Sequence, residues 1–132
     1  MKNKKAVFPG SFDPFTFGHM DIVNSGLKLF DTIIIGIGRN KEKKYMFDLN
    51  QRKQFITSLF ENEKRVVIKE YEGLTVELAE QEKATHIIRG VRNNIDFEYE
   101  KTIALANYEL NKKISTIFLH TKKEYLFAGV SF

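Results

Sequence analysis

Five short runs dense in Val, Ile and Phe punctuate this chain, at residues 5–8, 32–38, 66–71, 86–89 and 114–120. Their apolar positions barely alternate with polar ones, the pattern of parallel strands covered on both faces. Between them lie four stretches with helical spacing, at 18–30, 49–62, 74–83 and 95–110. In the second, Ile56, Leu59 and Phe60 recur behind Phe55, and Asp48 with Gln51 three residues later forms a capping-box signature. In the fourth, Phe97, Ala104 and Leu105 share helical spacing, with Lys101 as a polar intrusion. Strand and helix alternate throughout. The order predicts one α/β domain over 1–132, a doubly wound five-stranded parallel sheet with helices on both faces. No repeat, Pro/Ser-rich linker or low-complexity tract interrupts it.

That architecture places a site before any chemistry is read, because ligands of open parallel sheets bind beyond the carboxyl ends of the strands. Segments 9–19, 39–44, 72–73, 89–92 and 122–123 follow the predicted strand ends, and several of them are cationic. Cations converging on one rim suit phosphate. The composition agrees with a folded domain: 132 residues, 42% hydrophobic and with twelve Phe, can fill a core, which argues against disorder. The absence of Cys excludes a disulfide scaffold, a thiolate nucleophile, an iron–sulfur cluster and Cys-ligated zinc. The longest apolar stretch, 32–37, falls far short of the roughly 20 residues that span a bilayer. After Met1-Lys2-Asn3-Lys4-Lys5 only Ala6-Val7-Phe8 precede Pro9-Gly10, with no apolar signal core. A cytoplasmic protein with no membrane partner is expected. The net charge of +4 suits anionic ligands such as nucleotides. The Lys-rich loops lack the interleaved aromatics of RNA-binding modules, so no nucleic-acid partner is expected.

Two segments carry chemistry. In 9–19, Gly18 lets the backbone approach a ligand and His19 falls in the first turn of a helix. Free amides and the positive dipole end make that turn attractive to phosphate. The same dipole disfavours imidazolium, so His19 is expected to be neutral and to donate one ring N–H. An isolated Gly-His pair is more often a capping turn with a surface His. The second segment, Arg89-Gly90-Val91-Arg92 before Asp96-Phe97-Glu98-Tyr99-Glu100, offers two guanidinium forks to a polyphosphate, or else a solvated turn with Arg–Glu surface pairs. Lys41-Glu42-Lys43-Lys44 alone reads as a solvated loop. His86 and His120, without partners at metal spacing, read as structural, the Phe residues as core, and Met20 and Met46 as gap-fillers.

Thr16-x-Gly18-His19, within Pro-Gly-Ser-Phe-Asp-Pro after a first strand, resembles the nucleotidylyltransferase superfamily. With Arg89-Gly90-x-Arg92 and the Asp96–Glu100 element, the chain is similar to bacterial phosphopantetheine adenylyltransferases from about residue 6 to 127. The resemblance implies a Rossmann-like fold. It also implies transfer of the adenylyl group of ATP to 4′-phosphopantetheine, giving dephospho-coenzyme A and pyrophosphate by direct in-line attack. Mg2+ would accompany ATP, coenzyme A would be a further ligand, and six copies would assemble. His19 would stabilise the transition state. Ser11, Lys43, Thr75 and Arg89 would face phosphopantetheine, and Ser11, Phe12, His19, Gly90, Val91, Arg92, Glu100, Tyr125 and Ser131 would face ATP.

The chain departs from the family at Ser11, usually Thr, at Phe17, often Asn, and at Tyr45, often Pro. After Tyr125-Leu126-Phe127, where the family continues Ile-Ser-Ser-Ser and then helices, Ala128-Gly129-Val130-Ser131-Phe132 stands instead, with only Ser131 in register. A weaker grip on the ATP phosphates and uncovered apolar surface are expected from that ending. Three alternatives stand beside the adenylyltransferase: a nucleotide- or coenzyme-A-binding form without catalysis, a different small-molecule nucleotidylyltransferase, and a small RNA-binding domain.

Overall fold

The computed structural model describes residues 3–40 and 42–122. Along them run β1 (Lys5–Gly10), α1 (Phe17–Gly26), β2 (Thr32–Gly38), α2 (Leu49–Leu59), β3 (Val66–Tyr71), α3 (Thr75–Gln81), β4 (His86–Val91), α4 (Asn94–Leu110) and β5 (Ser115–His120). All neighbouring strands are parallel and their order is β3-β2-β1-β4-β5, the doubly wound sheet that the pattern predicts. Successive strand residues point to opposite faces. Phe8, Ile33, Ile35 and Ile88 therefore pack with Ile22 and Val23 of α1 and Ile56 of α2, while Val7, Ile34 and Ile87 pack with Val76, Leu78 and Ala79 of α3. Two apolar layers thus cover the two faces of the central strands.

The register explains where this sheet opens. Beside β2, β1 pairs as far as Gly10 with Ile37, and β4 pairs beside β5 as far as Val91 with His120. Between themselves, β1 and β4 pair only at Ala6–His86 and Val7–Ile87. Both strands thus run two residues past their expected ends, yet separate from each other after Val7. Pro9 is one cause. Its carbonyl faces β4, where it accepts from Arg89, so the N–H that proline lacks is missing on that same side. The crevice lies where the winding of the chain reverses, the topological switch point.

Helix starts follow the sequence closely. Asp48 accepts from the Gln51 amide at 2.8 Å and Gln51 reaches back to the Asp48 amide at 3.0 Å, completing the expected capping box of α2. On α4 the expected apolar face fails: Phe97 and Leu105 are exposed, and Glu100 is the buried residue of the helix. Glu100 turns instead to Arg89 of β4, while Phe97 meets Phe118 of β5 edge to face with ring centroids 5.1 Å apart. Phe17 and Phe47 likewise leave the core, and Met46 is exposed, whereas Met20 packs against the core as expected.

Candidate active site

From Gly10 the chain turns sharply. Phe12 adopts φ 49°, a left-handed conformation that costs a non-glycine residue about 1–2 kcal/mol. Packing holds it there, with ring centroids 5.2 Å from Phe8, 5.4 Å from Phe15 and 5.0 Å from the His19 imidazole. The ring folds back over Gly10, where a Cβ would stand 2.9 Å from Phe12 Cζ. Such strain, held by surrounding structure, is characteristic of functional turns.

Thr16 then caps α1. Its Oγ1 accepts from the His19 amide at 3.3 Å, while its own backbone N–H donates to His19 Nδ1 at 2.9 Å. His19 thereby takes the place that Glu or Gln holds in a capping box. Because an amide can only donate, Nδ1 is the acceptor and the ring proton sits on Nε2. The imidazole is held neutral, its pKa lowered from 6.5 to about 4. Burial is the main cause, followed by the charges of Arg89 and Arg92. The expected neutral donor is present, but its chief cause is desolvation rather than the helix dipole. Gly18 beside it has room for a side chain, since a Cβ would meet Thr16 Oγ1 at 3.6 Å and Thr121 Cγ2 at 3.7 Å. Internal packing does not demand glycine there.

Across the crevice, Arg89 is not the open fork expected from its spacing. Its Nε and Nη2 donate to the two carboxylate oxygens of Glu100 at 2.7 and 2.8 Å, and Nη1 donates to the Pro9 carbonyl at 2.7 Å. The alternative of a solvated Arg–Glu pair fails too, because Glu100 is only 8% exposed. Arg89 is thus a clamp that bridges the separated strands. Arg92 is exposed and its Nε meets Asp96 at 3.3 Å.

Two cavities flank the end of β1. The first, about 530 Å³, is lined by Phe12, Gly18, His19, Gly90, Arg92 and Glu100 among others. The second, about 730 Å³, is lined by Lys43, Tyr45, Tyr71 and Thr75, with the Thr75 and Tyr71 hydroxyls 2.9 Å apart. Pro9, Gly10, Ser11 and Arg89 line both. The residues that the resemblance assigns to ATP and to phosphopantetheine therefore separate into two adjoining spaces with one shared wall. Val91 belongs to β4 and lines neither cavity. Tyr125 and Ser131 lie outside the described residues.

Three charged residues take structural roles that the sequence pattern does not assign. Arg52, 3% exposed, donates to the carbonyls of Ser11, Gly38 and Phe47. Asp13 accepts from the Met46 and Phe47 amides. Buried Asp21 accepts from the Lys122 amide at 3.1 Å and pairs with its ammonium at 3.2 Å. The available signal was position: Arg52 stands four residues before Ile56 on the apolar side of α2, and Asp21 directly precedes Ile22-Val23. Among the described residues no group of three or more His, Cys, Asp and Glu could hold a metal, and no helix is long and apolar enough to cross a membrane.

The cytidylyltransferase-like family model matches residues 7–129. The chain is 53% identical over 128 residues to the phosphopantetheine adenylyltransferase of Flavobacterium johnsoniae, covering 97% of this chain and 84% of that one. To the enzyme of the same name from Bacteroides thetaiotaomicron it is 45% identical over 121 residues, covering 92% and 80%. Among solved structures it resembles the bifunctional NMN adenylyltransferase/ADP ribose pyrophosphatase of Francisella tularensis, with a TM-score of 0.68 at 19% identity, over 99% of this chain and 44% of that one. That last likeness shows the fold alone. By the family match and the near full-length relatives, the chain belongs to the cytidylyltransferase-like nucleotidyltransferases and, within them, to the phosphopantetheine adenylyltransferase family.

Proposed function

We propose that this chain transfers the adenylyl group of ATP to 4′-phosphopantetheine, releasing pyrophosphate and forming dephospho-coenzyme A. The observation that carries the reading is the pair of cavities meeting at Pro9, Gly10, Ser11 and Arg89. Two phosphorylated substrates seated in them would bring their phosphates together at that wall. ATP takes the cavity of His19, Gly90, Arg92 and Glu100, and the acceptor takes that of Lys43 and Thr75. Both volumes fall within the roughly 300–1,000 Å³ usual for small-ligand sites.

The reaction asks little acid–base chemistry of the protein. The acceptor phosphate has a second pKa of about 6 and is ionised at neutral pH, so no general base is needed. Its oxygen forms a bond to the α-phosphorus of ATP while the bond from that phosphorus to the bridging oxygen breaks. The electron pair leaves with pyrophosphate. The chain's part is positioning and charge stabilisation. His19 Nε2–H donates to an oxygen of the phosphate under attack, and its neutral state keeps that donor in a defined orientation. Arg92 and the backbone at Gly18 face the same cavity, while the Arg89 clamp keeps the crevice open between β1 and β4.

Mg2+ accompanies ATP in this reading. Such an ion usually keeps several waters and is bound largely through substrate phosphates. A single nucleotidylyltransferase domain over 1–132, a cytoplasmic setting and a homo-oligomer, six copies by the resemblance, belong to the same reading. The apolar exposure of α4, with Ile95 at 82% and Leu105 at 61%, supports association. The test is a substrate panel with product identification by mass spectrometry. Dephospho-coenzyme A from ATP and 4′-phosphopantetheine is expected. Turnover of nicotinate mononucleotide, or of CTP, in its place would overturn the assignment.

A further inference from the structure

Arg52 is an unusual residue to bury. An uncompensated guanidinium is costly away from water, yet the described partners of this one are carbonyl oxygens and a ring. Nη1 donates to Ser11 at 2.7 Å and to Gly38 at 3.3 Å, and Nε donates to Phe47 at 3.1 Å. The three carbonyls come from the end of β1, the end of β2 and the loop before α2. Tyr45 lies against the guanidinium, its ring centroid 4.0 Å from Cζ, and its hydroxyl accepts from the Asn40 amide at 3.1 Å. Lys43 Nζ stands 5.5 Å from the centroid of the same ring. One buried cation is thus linked to Ser11 directly and to Lys43 through a single aromatic ring.

We infer that Arg52 and Tyr45 are positioning residues for the acceptor half of the site, with Arg52 fixing Ser11 and the Tyr45 ring setting Lys43 over the second cavity. This rests on the acceptor reading given above and deepens it, since Tyr45 stands where the family often has Pro. The physical need is clear. Lys43 carries a point charge on a four-carbon stem, exposed in a loop, and such a side chain does not hold one geometry by itself. An aromatic face held rigid by Arg52 confines it before the substrate arrives, so less freedom is lost on binding.

The test titrates 4′-phosphopantetheine and ATP separately, by calorimetry, into the full chain and its variants. Tyr45→Leu is expected to weaken acceptor binding roughly two- to fivefold, the value of one partly exposed cation–π contact, while ATP affinity stays within about twofold. Tyr45→Phe, which keeps the ring, should recover most of that loss. Arg52→Lys keeps the charge but loses the fork, and should weaken the acceptor about tenfold while raising its KM more than it lowers kcat. A Tyr45→Leu chain that binds the acceptor like the wild type, or that loses both ligands equally, overturns the inference even if Arg52→Lys does not fold. Acceptor binding without pyrophosphate release overturns the proposed catalysis and leaves the positioning test standing. A wild-type chain that binds no acceptor overturns both.

Discussion

Replacing His19 by Gln should remove a pH dependence of stability that the fold builds in. Burial and the charges of Arg89 and Arg92 lower the imidazole pKa from 6.5 to about 4 in the folded chain. The unfolded chain therefore takes up this proton near pH 6.5, while the folded chain resists it until about pH 4. Stability from this source is complete above pH 6.5 and is lost as the pH falls towards 4. Integrated to pH 5 the loss is about 2 kcal/mol, against almost nothing at pH 8. Gln is the right replacement because it is a standard partner in a capping box and does not titrate. It can reach the Thr16 amide as Nδ1 does, so α1 should start normally. Urea unfolding of both proteins at pH 8 and pH 5 isolates the effect, because the other titrating groups are common to the two. Between those pH values the wild type should lose about 2 kcal/mol more than His19→Gln. Equal losses would refute the reasoning, showing that the ring protonates as readily inside the fold as outside it and that the neutral donor is not enforced.

Two further substitutions probe the same crevice. Gly18→Ala adds a methyl that meets only ordinary contacts at 3.6 and 3.7 Å, so the melting temperature should not fall. ATP affinity, measured by calorimetry, should drop about tenfold as the methyl enters the space where a phosphate would approach; a stability loss instead would mark Gly18 as a packing residue. Glu100→Gln leaves Arg89 facing an uncharged partner and should cost roughly 2–3 kcal/mol in urea unfolding. That lies just under the cost of breaking a fully buried pair, because the Arg89 side chain is 28% exposed. A cost below about 0.5 kcal/mol would show the pair to be screened by solvent.

The strands were legible because nothing competes with their signal: Thr32-Ile33-Ile34-Ile35-Gly36-Ile37-Gly38 can only be a covered strand, and β2 is buried along almost its whole length. The start of α2 was legible for a different reason, since Asp48 and Gln51 bond only to each other's backbone and need no tertiary partner. Tertiary context decided what was missed. Arg52 and Asp21 are charged, and charge reads as solvated until the fold supplies carbonyls, a ring or a backbone amide to receive it. Arg89 illustrates the same point. Its spacing marks a phosphate fork, but only the separation of β1 from β4 leaves the Pro9 carbonyl open to it. The apolar residues of α4 misled in the opposite sense, because helical spacing identifies a face without saying what covers it.

The most direct test of the account is pyrophosphate release at pH 8 from Mg-ATP and 4′-phosphopantetheine by the full chain, beside a His19→Ala chain shown to be folded. Removing a single pre-oriented donor to the developing charge should lower kcat about 10²–10³-fold with little change in either substrate's affinity. Release by the wild type that falls by that factor is the predicted result. Release that is unchanged in His19→Ala, or affinity that collapses while kcat holds, would contradict the assignment of His19 as the donor to the phosphate under attack.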